Sequence, residues 1–153
     1  RLLIFRSNIE SRWIPRADAV LETGNPITPF LAPVTDIYGV GPIVAAFLIE
    51  YTGDPLRFTT ADKYAAYNGT APIEVSSGGK TRHRLSLRGN RTLNHAIHMA
   101  AVTQIRFDTP GRSYFDKKLA EGKTKKEALR ALKRRVSDAV YRRLIADQQR
   151  ATS

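Results

Sequence analysis

The sequence predicts a mainly α-helical fold with one short loop or β-hairpin, and three features support this prediction. Apolar residues recur at helical spacing, residues typical of helix starts and ends bracket those segments, and glycines and prolines separate them. The carboxy-terminal segment is the clearest case, with a stripe near a period of 3.6 formed by Leu129, Leu132, Val136, Val140 and Leu144. Thr124 precedes this segment with Glu127 three residues later, which predicts a helix that starts with a capping box.

Four further helices are predicted upstream from the same signals. Pro42 suits the first turn of a helix that runs to about Tyr51. A second helix follows, with Thr59 and Asp62 as a capping pair and Gly69 just beyond its end. Asn90 is the expected cap of a third helix, whose predicted apolar face is Leu93, Ile97, Ala100 and Ala101. A short fourth helix should open at Pro110 and end near Gly122.

The first 33 residues differ from the rest and predict an amino-terminal helix remnant followed by a linker. Apolar residues lie at helical spacing up to Pro15, namely Leu2, Phe5, Ile9 and Trp13. Residues 23–33 are rich in proline, glycine and asparagine, which is typical of a linker. We therefore divide the chain into residues 1–33 and a domain at residues 34–148.

Composition narrows the possible functions. The chain has no Cys, which excludes disulfides and thiolate zinc sites and favours a cytoplasmic location. No apolar run approaches the roughly 20 residues that a membrane helix needs, so no membrane partner is expected. Residues 78–153 hold 19 Lys and Arg against 6 Asp and Glu, whereas residues 1–77 hold 6 against 8. Such a basic half favours nucleic acid over an acidic protein or a membrane surface.

A glycine turn at Gly39-Val40-Gly41 resembles the helix-hairpin-helix motif. Two glycines let the backbone approach a phosphate, and the helix that follows offers free N–H groups and the positive end of its dipole. Such contacts hold a nucleic-acid backbone without reading its sequence. The alternative is that Gly39 and Gly41 simply form a tight turn between packed helices.

A second motif joins a serine pair to glycines and cations, in the order Ser76-Ser77-Gly78-Gly79-Lys80, with Arg82 and Arg84 beyond. A serine flanked by cations can attack a phosphodiester, because the cations stabilise charge on the phosphoryl oxygens. The residues by themselves favour the plainer interpretation, in which the serines and glycines form a turn and the cations only bind phosphate.

Metal binding is not predicted for this chain. His95 and His98 lie three residues apart on a predicted helix, but no neighbouring Cys or carboxylate supports a shared metal, so packing or solvent exposure is the expected role. The carboxylates Asp54, Asp62 and Glu74 do not form the convergent acidic group of a two-metal nuclease.

Several ordered segments resemble the carboxy-terminal domain of the bridge-RNA-guided insertion-sequence transposases, the IS116/IS110/IS902 family. The resemblance covers roughly residues 34–146 and rests on the segments Ile37-Tyr38-Gly39-Val40-Gly41-Pro42, Gly53-Asp54-Pro55-Leu56-Arg57-Phe58, Gly69-Thr70-Ala71-Pro72, Ser76-Ser77-Gly78-Gly79-Lys80, Arg88-Gly89-Asn90-Arg91 and Gly122-Lys123-Thr124-Lys125-Lys126.

The resemblance implies DNA transposition by a serine that becomes covalently joined to DNA. That serine carries over to Ser77, with Ser76 as the alternative within the pair. The basic residues near the pair, together with the glycine turn, then form the expected nucleic-acid-binding set: Gly39, Gly41, Lys80, Arg82, Arg84, Arg88 and Arg91. The implied partners are DNA, a guide RNA and further copies of the full-length protein, in the bacterial cytoplasm at the nucleoid.

In such transposases an acidic RuvC-like domain binds magnesium, and residues 1–33 are too short and too poor in carboxylates to be that domain. We therefore expect no cofactor in this chain and no strand cleavage by it alone. Two alternatives stay open: a DNA- or RNA-binding remnant without catalysis, and an RNA-binding structural protein of ribosomal type, which would explain the charge but not the ordered motifs.

Overall fold

The computed structural model describes residues 34–77, 80–84 and 89–153, and within them the fold is mainly α-helical. Five α-helices follow one another, with one two-stranded sheet inserted between the second and the third. They are α1 (Pro42–Thr52), α2 (Ala61–Asn68), α3 (Arg91–Arg106), α4 (Pro110–Ala120) and α5 (Lys125–Ala151); the strands are β1 (Ile73–Ser77) and β2 (Lys80–Arg84), and a 3-10 turn covers Pro55–Arg57. The predicted helix and linker at residues 1–33 lie outside the described residues.

Side-chain caps explain where four of the helices begin. The Asn90 carboxamide oxygen accepts from the Leu93 amide at the start of α3, and the Thr109 hydroxyl accepts from the Arg112 amide at the start of α4. Thr124 and Glu127 form the predicted capping box of α5. The cap of α2 is Thr60, so the prediction of Thr59 was wrong by one residue; the two threonines are adjacent and local sequence did not separate them.

Helix α5 is the centre of the described fold, because α2, α3 and α4 all pack on it. Four residues of its predicted stripe are buried, Leu132, Val136, Val140 and Leu144, while Leu129 is half-buried against the same core. The predicted face of α3 is also buried and supports both α5 and α1. The amphipathic pattern of the two longest helices therefore defines the core.

Buried polar groups join the end of α2 to α5. Asn68 Nδ2 donates to Ser137 Oγ over 2.7 Å, and both residues are fully buried. Asn68 Oδ1 accepts from the amide and the hydroxyl of Thr70, at 3.1 and 2.7 Å. Tyr64 OH lies 2.9 Å from Thr52 Oγ1, and burial raises the pKa of this phenol. These bonds fix the segment from which the sheet departs.

Among the residues that the structure describes, no helix has the length and apolar character needed to cross a membrane.

Candidate nucleic-acid interface

The two-stranded sheet leaves the helical body through a narrow neck between α2 and α3. The chain departs after Thr70 and returns at Gly89, where an added Cβ would lie 2.6 Å from the amide nitrogen of Gly69. The Asn90 amide donates to the Tyr67 carbonyl over 2.7 Å, and Asn94 Nδ2 donates to the Asn68 carbonyl over 2.9 Å. The close approach of Gly89 to Gly69 and these two hydrogen bonds therefore hold both ends of the hairpin segment against the helices.

The pairing of β1 with β2 places the serine motif at the end of an antiparallel ladder. Ser77 pairs with Lys80, Val75 with Arg82 and Ile73 with Arg84. Consecutive residues of a strand belong to opposite faces, and directly paired residues share a face. Ser77, Lys80, Arg82 and Arg84 therefore share one face of the ribbon, whereas Ser76 shares the other with Thr81, His83 and Glu74.

One other predicted position, Arg91, follows the hairpin in the described part of the chain. It is exposed in the first turn of α3, two residues after Gly89, which lies against Gly69. Gly78, Gly79 and Arg88 lie outside the described residues. The predicted roles of the hairpin residues and of Arg91 in binding nucleic acid stay predictions.

Both the backbone conformation and the packing of the glycine turn require glycine at position 39. Gly39 has φ +82, and a Cβ at this position would collide with the carbonyl oxygen of Ala100 on α3. Gln104 Nε2 donates to the Tyr38 carbonyl over 2.7 Å and ties the same turn to α3. Gly39 is thus required where α1 and α3 approach each other, which is the structural alternative left open by the sequence.

Gly41 differs from Gly39 because nothing lies within 4 Å of a Cβ added to it. It is the N-cap of α1 with an extended backbone, and no side chain caps this helix end. The surrounding open cleft is lined by Asp36 and Thr103 and by no Lys or Arg among the described residues. Asp36 is exposed and pairs with Arg143 over 3.4 Å. Phosphate binding at Gly41 stays a prediction. It would depend only on the free backbone N–H groups at the start of α1.

A second cleft, beside the neck of the hairpin, is strongly basic. We call it the basic cleft; its volume is about 430 Å³, and its lining is Thr70, Ala71, Pro72, Tyr114, Lys123, Glu127, Arg130, Ala131, Lys133, Arg134, Arg135 and Asp138. Five cations thus face two carboxylates. Both carboxylates already have partners, since Glu127 Oε2 accepts from Thr124 at 2.8 Å and Asp138 Oδ1 accepts from Arg134 Nε at 2.9 Å.

Lys133 is the unusual member of this cleft, because only 6% of the residue is exposed. Its ammonium donates to Asn94 Oδ1 over 2.8 Å, and among the described residues no carboxylate pairs with it. Burial, with a further contribution from Arg130, lowers the pKa of Lys133 to about 8. A lysine that stays charged in this position destabilises the free protein.

The histidines lie on α3 close to this lysine. Burial, followed by the charge of Lys133, lowers the pKa of both His95 and His98. Within the described ranges, no three His, Asp or Glu residues come together as a metal site. The donor set of the described residues therefore does not fit magnesium.

The sequence shows that the second half of the chain is basic, but it does not show the cleft itself. Lys133 lies four residues after Leu129, three before Val136 and seven before Val140, and this helical spacing was the available signal of its burial. The lining comes from α4, α5 and the turn between them, and from the segment after α2, which lies about 40 residues or more earlier in the sequence. Only the packing of these elements brings Tyr114 beneath Arg135, whose guanidinium carbon lies 4.3 Å from the ring centre.

Comparison with known proteins places this architecture in a family. The model of the transposase IS116/IS110/IS902 family matches residues 32–116. The chain is 38% identical over 118 residues to an uncharacterized 43.6 kDa protein of insertion element IS110 from Streptomyces coelicolor, covering 76% of this chain and 28% of that protein. It is 37% identical over 99 residues to an uncharacterized 42 kDa protein of insertion element IS900 from Mycobacterium paratuberculosis, covering 63% and 25%.

A third relative, an uncharacterized 44.8 kDa protein of insertion element IS116 from Streptomyces clavuligerus, is 33% identical over 104 residues, which are 67% of this chain and 26% of that protein. The chain thus spans about a quarter of the length of the curated relatives that it matches. Because the family model covers more than half of the chain and several relatives agree with it, the chain belongs to the transposase IS116/IS110/IS902 family.

Proposed function

We propose that this chain is the part of a DNA transposase that binds nucleic acid and supplies Ser77 as the nucleophile for strand cleavage and exchange. The observation that carries the proposal is the register of the hairpin, which gives Ser77 a common face with Lys80, Arg82 and Arg84. Ser76 belongs to the opposite face, together with Thr81, His83 and Glu74. The register therefore supports Ser77 over Ser76.

The proposed step is a displacement at phosphorus. A bond forms between the serine oxygen and the phosphorus of a phosphodiester while the bond from phosphorus to the leaving nucleoside oxygen breaks. The hydroxyl proton is lost from the serine and a proton is gained by the leaving oxygen, so the step is balanced. Cations on the same face stabilise the charge that develops on the phosphoryl oxygens.

Charge and fold support the nucleic-acid part of the proposal. The described residues 89–153 carry 15 Lys and Arg against 6 Asp and Glu. Such a surface releases counterions on meeting a phosphate backbone, so affinity for DNA should fall steeply with salt. Four further parts of the proposal rest on the resemblance alone: the guide RNA, the acidic RuvC-like domain with its magnesium, the homo-oligomer and the location at the nucleoid.

The test is the covalent adduct between protein and DNA. Labelled DNA is incubated with the chain, the acidic domain, the guide RNA and magnesium, and a labelled protein band is sought after denaturation. The band should appear with the unaltered chain and with Ser76→Ala, and it should be absent with Ser77→Ala, whose DNA affinity should change little. An adduct formed by the double variant Ser76→Ala/Ser77→Ala would leave only a non-catalytic binding module.

A further inference from the structure

We infer that the basic cleft is a binding site for a phosphodiester group of the nucleic-acid strand, and its main cations are Lys123, Arg130, Lys133 and Arg135. This inference deepens the proposed function, because it assigns the second place at which the domain holds its strand. The cleft is separate from the hairpin face of Ser77 and from the turn at Gly41.

The charge of the cleft is the first argument. Arg134 is neutralised by Asp138 and by Asp62, and Glu127 is engaged in the capping box of α5. The five cations nevertheless exceed the two lining carboxylates by three. A concave site with excess positive charge and low-dielectric walls concentrates anions.

The buried lysine is the second argument. Lys133 lines the cleft, has a neutral acceptor in Asn94, and has no carboxylate partner among the described residues. Removing an ammonium from water is unfavourable unless an opposite charge compensates it. A phosphodiester oxygen that enters the cleft would provide this compensation and would accept the ammonium protons that Asn94 does not take.

The walls are already arranged for such a ligand. The Arg135 guanidinium stacks on Tyr114 at 4.3 Å, which limits its rotation and leaves its edge available for phosphate oxygens. Asn94 holds Lys133 from α3, and Asn94 is itself held by the carbonyl of Asn68. Binding therefore requires little ordering of side chains.

The position of the cleft links it to the hairpin. Its rim includes Thr70, Ala71 and Pro72, and β1 starts at the next residue, Ile73. Five residues of extended strand reach at most roughly 16 Å, so Ser77 lies within that distance of the rim along the backbone. This is about five nucleotides of a B-form strand, so one strand can contact both places.

The experiment compares two double variants in the 153-residue chain. Lys123→Gln/Arg135→Gln removes two exposed cations from the cleft, whereas Lys125→Gln/Lys126→Gln removes two exposed cations from the same end of α5 that do not line it. Binding is measured by fluorescence anisotropy with a labelled 20-nucleotide single strand, as DNA and as RNA of the same sequence. If the cleft variant loses more affinity for DNA than for RNA, the cleft holds a DNA strand; the opposite result identifies an RNA strand.

The cleft variant should raise Kd at least about tenfold and should lower the slope of log K against log salt by about 1.4, since each phosphate-bound cation contributes about 0.7 on a single strand. The control should raise Kd by only about twofold to threefold through the general field of the protein. Equal losses in the two double variants, or no binding of either strand by the unaltered chain, would overturn the assignment.

Lys133→Gln provides an independent readout. This variant keeps a hydrogen-bond donor for Asn94 but removes the buried charge, so Kd should rise while the urea midpoint of unfolding stays equal or increases. A lower midpoint with unchanged Kd would show that Lys133 is only structural and would overturn its role. The serine proposal is judged separately, because cleft variants that bind like their control leave the adduct test of Ser77 unaffected.

Discussion

Asn68 and Ser137 form a fully buried hydrogen bond of 2.7 Å between residues that are 69 positions apart. The bond joins the last turn of α2 to the middle of α5, immediately before the chain leaves for the hairpin. Asn68 also accepts two bonds from Thr70. The buried Asn68 side chain thus connects α2 to α5 and also fixes Thr70, after which the chain leaves the helices for the hairpin.

Asn68→Ala should lower the free energy of unfolding by about 2–4 kcal/mol, because it leaves the buried Ser137 hydroxyl and the Thr70 donors without their partner. Ser137→Ala removes one of these bonds and should cost about 1–2 kcal/mol. Urea unfolding followed by circular dichroism measures both. Ser113→Ala, on the exposed face of α4, is the control and should change stability by less than about 0.5 kcal/mol. A loss of stability in Asn68→Ala no larger than in this control would show that the buried hydrogen bonds of Asn68 do not stabilise the fold.

Gly39→Ala should destabilise the protein by at least about 2 kcal/mol, because the new methyl group meets the Ala100 carbonyl and the backbone has positive φ. Gly41→Ala should cost less than about 1 kcal/mol, because its methyl group enters open space and alanine is only a somewhat poorer N-cap. The two melting temperatures test this difference. If the two variants lost equal stability, the contact between the turn and α3 would not be what requires glycine.

The pKa of Lys133 predicts an increase in stability from pH 8 to pH 9.5. Its folded pKa of about 8 lies below the ordinary 10.5, so in this window the unfolded chain binds more protons and unfolding takes up a proton. The free energy of unfolding therefore rises with pH, by about 1.5 kcal/mol over this interval. The pKa values of His95 and His98 lie below the ordinary 6.5, outside this window. The pKa of Tyr64 is raised from the ordinary 10 and that of Tyr67 is lowered, so the measurement stops at pH 9.5 to limit the ionisation of tyrosine.

Urea midpoints at pH 8.0 and 9.5 measure this increase, and Lys133→Gln is the matched variant. It lacks the titrating group and should show little change between the two pH values. An equal increase in both proteins would assign the effect to other residues.

Local sequence predicted the helices and their caps because these depend on neighbours within one or two turns. Asn90, Thr124 and Gly69 act where their residue types and spacing indicated. The contact of Gly39 with Ala100 and the hydrogen bond from Lys133 to Asn94 were not predictable in this way, since each depends on a partner helix far along the chain. For the candidate site, the resemblance predicts Ser77 with Ser76 as the alternative, and the strand register adds a second reason for Ser77 that the sequence alone did not contain.

The register predicts that neighbouring positions of β2 differ in function. Arg82→Gln and Arg84→Gln, on the face of Ser77, should each weaken DNA binding, lower the salt slope by about one, and reduce the adduct yield together with binding. Thr81→Ala and His83→Gln, on the opposite face, should leave binding and adduct near the unaltered values. Anisotropy titrations between low and high salt give the slopes. Denaturing gels of the chain incubated with labelled DNA, the acidic domain, the guide RNA and magnesium give the adduct yields.

The comparison of Arg82 with His83 is informative because the two positions are adjacent in β2 and belong to opposite faces. A general electrostatic effect would depend on charge and not on face, so His83→Arg serves as the added control. This variant restores a cation on the face opposite Ser77. When combined with Arg82→Gln, it should recover part of the DNA affinity but not the adduct yield, because a cation on that face cannot stabilise the phosphoryl group attacked by Ser77. Full recovery of the adduct would show that the shared face of Ser77, Lys80, Arg82 and Arg84 is not what organises the chemistry.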